Sequence, residues 1–201
     1  MALLLASNNP GKLREVRALF ADVEVIAPAA LGLDLDVEES GQTFAANAQL
    51  KARAHAAASG QIALADDSGL EVDALGGAPG IYSARYGGPD LDNAGRCQLL
   101  LTELDPYPEP AQRQARFRCV LCAVSPDGRQ CQTEGTCEGL IAPVPAGTNG
   151  FGYDPVFLVP AYAKTMAELD PQIKNRLSHR AQALAAIRPL LATTFPELAI
   201  A

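Results

Sequence analysis

The stretch Ile62-Ala63-Leu64-Ala65-Asp66-Asp67-Ser68-Gly69-Leu70 constrains this chain more than any other. A short apolar run reads as a buried strand, and it ends in adjacent carboxylates, a hydroxyl and a glycine. In open α/β sheets ligands bind just beyond the carboxyl ends of strands, so reactive groups belong here. Neighbouring carboxylates repel each other and are costly to bury without a positive partner. A hard divalent cation such as Mg2+, which prefers oxygen ligands, is the usual remedy. A solvated acidic turn is the plain alternative, and the remainder of the chain decides between the two.

A length of 201 residues with 48% hydrophobic content suffices for one sizeable core and demands no second independent domain. The net charge of −7 argues against a broad nucleic-acid or anionic-membrane surface. A phosphorylated small molecule remains compatible if the few cations converge. The opening Met1-Ala2-Leu3-Leu4-Leu5-Ala6 lacks a basic n-region and is too short for a signal peptide, and no run of about 18 apolar residues appears in the sequence. The expectation is a cytoplasmic protein with no membrane partner. The cysteines (Cys97, Cys119, Cys122, Cys131 and Cys137) show no paired metal spacing and read as reduced thiols.

Leu3 to Ala6 reads as a first strand, leading into Ser7-Asn8-Asn9-Pro10-Gly11-Lys12 and then a helical recurrence of Leu13, Val16, Leu19 and Phe20. Such a loop can face an anion with backbone N–H groups, a helix N-terminus and the Lys12 charge. Ordinary turn chemistry accounts for it equally well. Val23 to Ile26 predicts a second strand, and Leu35 to Gly41 carries an acidic cluster with Glu38 and Glu39. Thr43 and Gly60 bracket a helix over residues 44–59, with Asn47 and Lys51 on one face.

Leu70 to Val72 reads as a short strand after the Asp66-Asp67 turn. The glycine-rich segment from Gly76 to Gly88 suggests close backbone approach or a flexible loop. Asp90 or Asp92 caps a helix through Leu104. Ala115 to Ser125 and Gln130 to Leu140 form a hairpin about Ser125-Pro126-Asp127-Gly128. Phe151 in Phe151-Gly152-Tyr153-Asp154 either stacks on a flat base or joins the core, and Asp154 is placed to accept a hydrogen bond from such a base. Asp170-Pro171 starts a helix carrying Lys174, and Ser178-His179-Arg180 begins or continues another.

Five motifs, in order, resemble the inosine triphosphate pyrophosphatase family: Ser7 to Lys12, Ala65 to Gly69, Gly76 to Arg85, Phe151 to Asp154, and Ser178 to Arg180. The resemblance spans nearly the whole chain, so residues 1–201 are expected to form a single nucleoside-triphosphate pyrophosphohydrolase domain. It implies an α/β fold with a curved mixed sheet and flanking helices, two lobes with an active-site cleft between them, and a homodimer. It implies that Ser7, Asn8, Asn9, Pro10, Gly11 and Lys12 hold a triphosphate. Glu38 and Asp67 would serve Mg2+, Asp67 would also accept a proton, and Ser68 would touch substrate. Phe151, Gly152, Tyr153, Asp154, Lys174, His179 and Arg180 would surround the base, sugar and phosphates. The family usually carries Glu-Asn-Ala where this chain has Ala46-Asn47-Ala48, which leaves Glu38, Glu39, Asp66 and Asp67 as the available carboxylates.

The reaction so implied is hydrolysis of non-standard purine triphosphates (ITP, dITP, XTP) to the monophosphate and pyrophosphate. Lys12, Lys51, Lys174 and Arg180 are the cations available for a leaving pyrophosphate, with Asp66 assisting Glu38 and Asp67 at the metal. A purine nucleotide-binding regulator without hydrolysis is the competing reading. It would keep Lys12 and Phe151 and has no need of clustered carboxylates.

Overall fold

The structure is a computed structural model and describes residues 2–200. Met1 and Ala201, the bounds of the expected domain, lie outside the described residues. The strands are β1 (Leu3–Leu5), β2 (Val25–Ile26), β3 (Ala63–Val72), β4 (Gln114–Val124), β5 (Gln130–Ile141), β6 (Phe157–Val159) and β7 (Lys164–Thr165). The helices are α1 (Pro10–Leu19), α2 (Phe44–Ser59), α3 (Asn93–Glu103), α4 (Pro171–Leu177) and α5 (His179–Thr194), joined by short 3-10 turns. The strands form one 7-stranded sheet in the order β2-β1-β3-β4-β5-β6-β7. It is mixed: β1 runs parallel to β2 and β3, whereas β6 is antiparallel to β5 and β7. This is the helix-flanked mixed α/β sheet that the resemblance implies.

The chain divides into two compact units. The first comprises Met1–Asp67, Cys119–Gly135 and His179–Ala201. Its core gathers Leu3 and Leu5 of β1, Val16 of α1, Leu64 of β3, Leu121 of β4, and Leu184, Ile187 and Leu191 of α5. The second comprises Ser68–Arg118 and Thr136–Ser178 and has a core of its own, including Leu70, Leu100, Phe117, Phe157, Met166 and Leu169.

Local chemistry explains where the helices begin. Asn9 caps α1, its Oδ1 accepting from the backbone N–H groups of Gly11 (2.8 Å) and Lys12 (3.1 Å), with Pro10 at the first helical position. The Thr43 hydroxyl accepts from Ala46 N at 3.1 Å, and Gly60 closes α2 in the left-handed region at φ 68, so both bounds fall where the sequence places them. Asp92 caps α3 and Asp170 caps α4. The hairpin forms as expected, Ser125 N donating to Arg129 O at 3.0 Å.

The central strand departs from expectation. β3 does not end at the acidic pair but continues through it to Val72, absorbing the separate strand expected at Leu70–Val72. Neighbouring side chains of a strand point to opposite faces. Asp66 therefore shares the face of Leu64, against α1 and α5, while Asp67 shares the face of Ala65 and meets Lys51 of α2. Adjacent in sequence, the two carboxylates serve different surroundings.

Candidate active site

On the α1 and α5 face of β3, Asp66 is fully enclosed. Its Oδ1 lies 2.5 Å from Lys12 Nζ, its Oδ2 accepts from Arg180 Nε at 2.6 Å, and the Cys119 thiol donates to Oδ2 at 3.3 Å. Arg180 also binds Glu15, one turn along α1 from Lys12. Burial alone would raise the Asp66 pKa, but Arg180 and Lys12 together outweigh it and hold the carboxyl well below the usual range. Burial and the Asp66 charge push the Cys119 thiol up, so it stays a neutral donor.

On the opposite face the Lys51 ammonium donates to Asp67 Oδ1 at 2.6 Å and Glu39 Oε1 at 2.8 Å. It also donates to the Asp66 main-chain carbonyl at 3.0 Å, and Lys12 Nζ reaches that same oxygen at 3.2 Å. Two ammonium groups thus converge on one peptide oxygen. Burial raises the Asp67 pKa, Lys51 pulls it down and Glu39 adds to the rise; the net direction is upward. Burial lowers the Lys51 pKa, yet the Asp67 and Glu39 charges carry it upward overall.

The acidic loop is tied to α2 by Asn47, whose Oδ1 accepts from Gly41 N at 2.8 Å. A Cβ on Gly41 would stand 2.6 Å from Asn47 Oδ1 and 2.7 Å from the Ala46 methyl, so glycine is required there. The carboxylate that this loop delivers is Glu39. Glu38, expected at the metal, is exposed. Asp66, expected to assist there, has both oxygens held by Lys12 and Arg180 instead.

The residues present fit the divalent cation that the resemblance implies. Asp67 Oδ2 is buried without a hydrogen-bond partner, while Asp67 Oδ1 and Glu39 Oε1 already converge on one ammonium. These are hard oxygen donors of the type Mg2+ takes. Among the described residues, no group of three or more His, Cys, Asp or Glu stands ready-made around an ion position.

Within the second unit, Asp154 Oδ2 accepts from Phe151 N at 2.8 Å and from Lys174 Nζ at 2.6 Å. Lys174 Nζ lies 5.0 Å from the Phe151 ring centroid, and Asp154 and Lys174 are both buried. Asp154, expected to accept from a base, is thus occupied in holding the Phe151 loop, and Lys174 is paired with it. Phe151 itself is half-buried, between the stacking and core readings. Tyr153 is buried and donates to Ser83 O at 3.0 Å. Ser83 in turn accepts from Leu70 N at 2.9 Å, tying the glycine-rich motif to β3.

Among the expected phosphate ligands, Ser7 is half-buried, Asn8, Asn9 and Pro10 are exposed, and Gly11 is buried. The Gly11 and Lys12 N–H groups, expected to face an anion, are taken by Asn9 Oδ1. Ser68 is half-buried, and His179 is buried at the start of α5. Arg180, expected against substrate, is 1% exposed and bound to Asp66 and Glu15. Sequence reasoning missed Glu15 and Cys119. The spacing of Lys12 and Glu15, three apart on one helix, is the signal that would have found the first.

The Ham1 family model matches residues 3–190. A dITP/XTP pyrophosphatase of Desulforamulus reducens is 49% identical over 186 residues, covering 92% of this chain and 92% of that protein. One from Shigella flexneri is 50% identical over 186 residues, covering 90% and 93%. A solved HAM1 protein from Coxiella burnetii superposes with a TM-score of 0.86 at 43% identity, covering 96% of this chain and 99% of that one.

Proposed function

Because the chain belongs to the Ham1 family, we propose that it hydrolyses non-standard purine nucleoside triphosphates, dITP, ITP and XTP, to the monophosphate and pyrophosphate, with Mg2+ as cofactor. The single observation that carries this reading is the meeting of Lys12, Lys51, Asp67 and Glu39 around the Asp66 peptide. A site that only sensed nucleotide would need the two lysines but not a buried carboxylate with an unmet oxygen. That favours hydrolysis over the regulator.

In this reading Lys12 grips the phosphate chain, Lys51 adds its charge while its three N–H donors hold Asp67, Glu39 and the Asp66 carbonyl, and Ser7, Asn8 and the turn Asn9-Pro10-Gly11 border the chain. Asp67 through Oδ1 and Glu39 through Oε1 would hold the cation, which leaves Asp67 Oδ2 for the proton. Bound Mg2+ would neutralise charge on the triphosphate and on the departing pyrophosphate. Asp67 Oδ2 takes the proton of the attacking water, since that oxygen is buried and has no hydrogen bond to give up. Ser68 and His179 contact substrate. Phe151, with Gly152, Tyr153 and Asp154 as its frame and Lys174 locking it, supplies the base-stacking face. The 6-oxo group of hypoxanthine and xanthine accepts where adenine donates, so a pocket of donors rejects ATP by leaving them unmet. The protein acts as a homodimer, which light scattering would show directly.

The deciding assay incubates the protein with ITP, dITP, XTP, ATP and GTP, with Mg2+ or with chelator. Pyrophosphate released from the first three, and only with metal, is expected. Orthophosphate with a diphosphate product, or no turnover at all, refutes the proposal.

A further inference from the structure

The geometry points to Asp66 as a positioning residue that fixes the Lys12 ammonium for the phosphate chain and takes no part in holding the cation. The inference rests on the reading of Lys12 as a triphosphate ligand. Both Asp66 oxygens are occupied: Oδ1 by Lys12 at 2.5 Å, and Oδ2 by Arg180 Nε at 2.6 Å and the Cys119 thiol at 3.3 Å. Arg180 continues to Glu15, which returns the chain of contacts to α1 one turn beyond Lys12. The result is a run of alternating charge, Lys12, Asp66, Arg180 and Glu15, whose two ends both sit on α1 while its middle members come from β3 and α5.

The run is open at Lys12. An ammonium carries three N–H donors, and Lys12 directs them at Asp66 Oδ1 and at the Asp66 carbonyl, leaving one for an anion. The Lys12 side chain is 15% exposed while Asp66 is 0% exposed, so Lys12 is the member of the pair that an anion in solution can reach. An unheld lysine must give up most of its rotamer freedom on gripping a ligand; one already pinned has lost it in folding, so affinity rises without a new contact. Asp66→Asn keeps the main-chain carbonyl and a side-chain acceptor, so that variant removes the carboxylate charge alone.

The test is a double-mutant cycle read by calorimetry with inorganic tripolyphosphate as probe, on the wild type, Asp66→Asn, Lys12→Met and the double variant. Asp66→Asn is expected to weaken binding about tenfold, by freeing Lys12. Lys12→Met should weaken it at least as much, and the double variant should bind no more weakly than Lys12→Met alone. In turnover of ITP, Asp66→Asn should raise KM by a similar factor and leave kcat within about threefold, the mark of lost uniform binding. Additive losses in the cycle, or a kcat collapse at unchanged KM, overturn the positioning role. If Lys12→Met binds tripolyphosphate like the wild type, the reading of Lys12 falls and takes this inference with it. Should Asp66→Asn not fold, 13C relaxation of the Lys12 ε-methylene in the wild type decides. A Lys12 more rigid than the exposed Lys164 is expected, and equal mobility of the two overturns the claim.

Discussion

Replacing Gly41 by Ala tests whether the acidic loop is set by its junction with α2. The added methyl would lie 2.6 Å from Asn47 Oδ1 and 2.7 Å from the Ala46 Cβ, closer than packed carbons and oxygens tolerate, so the loop must move. Moving it breaks the 2.8 Å bond from Gly41 N to Asn47 Oδ1. Asn47 is 0% exposed, and its Nδ2 already lacks a hydrogen-bond partner, so the substitution leaves the amide unmet at both ends. Stranding a buried acceptor costs about 1–3 kcal/mol. In a protein of this size each kcal/mol lowers Tm by roughly 2–4 °C, so a fall of about 2–12 °C is expected in a circular dichroism melt. Glu39 rides on the same loop, so Mn2+ affinity, followed by electron paramagnetic resonance, should fall as well. An unchanged melt and unchanged Mn2+ affinity would refute the coupling between Gly41, Asn47 and Glu39.

Other outcomes follow from the two faces of β3. Asp67→Asn should abolish release of pyrophosphate from ITP while nucleotide still binds; near-normal turnover would remove Asp67 from the chemistry. Lys12→Ala should weaken ITP binding far more than inosine binding, and equal losses would dismiss the phosphate grip. Asp66, held well below the ordinary carboxylate range, contributes stability that is full above its unfolded pKa of about 3.9 and is lost as pH falls through the folded value. The difference in unfolding free energy between the wild type and Asp66→Asn in urea should therefore be constant near neutrality and shrink under acid. A difference that widens as pH falls would reverse the assigned sign.

What could be seen in advance was local. Thr43 and Gly60 fix both ends of α2 because a cap and a left-handed glycine act within a turn of their own position. The Ser125 to Gly128 turn fixes the hairpin for the same reason. The acidic pair was harder. Asp66 and Asp67 look like the end of a strand because carboxylates rarely sit inside one, and only tertiary partners make them bearable there. Those partners are remote: Arg180 lies 114 positions from Asp66, and 165 from Glu15. No periodicity or propensity encodes such pairings. That Glu39 rather than Glu38 meets Lys51 depends on which side chain the Gly41 junction delivers, a matter of packing rather than composition. The family motifs named Arg180 and Lys174 as substrate contacts; they did not say that both would be engaged with carboxylates of the protein itself.

The oxygen on which Lys12 and Lys51 both settle belongs to the peptide group of residue 66. Every amino acid carries that atom, so no exchange of side chain at this position deletes it. An alanine scan would pass over the shared hub of the site without registering it. Only chemistry that alters the backbone, such as an amide-to-ester replacement that weakens the carbonyl as an acceptor, would reveal how much the paired lysines depend on it.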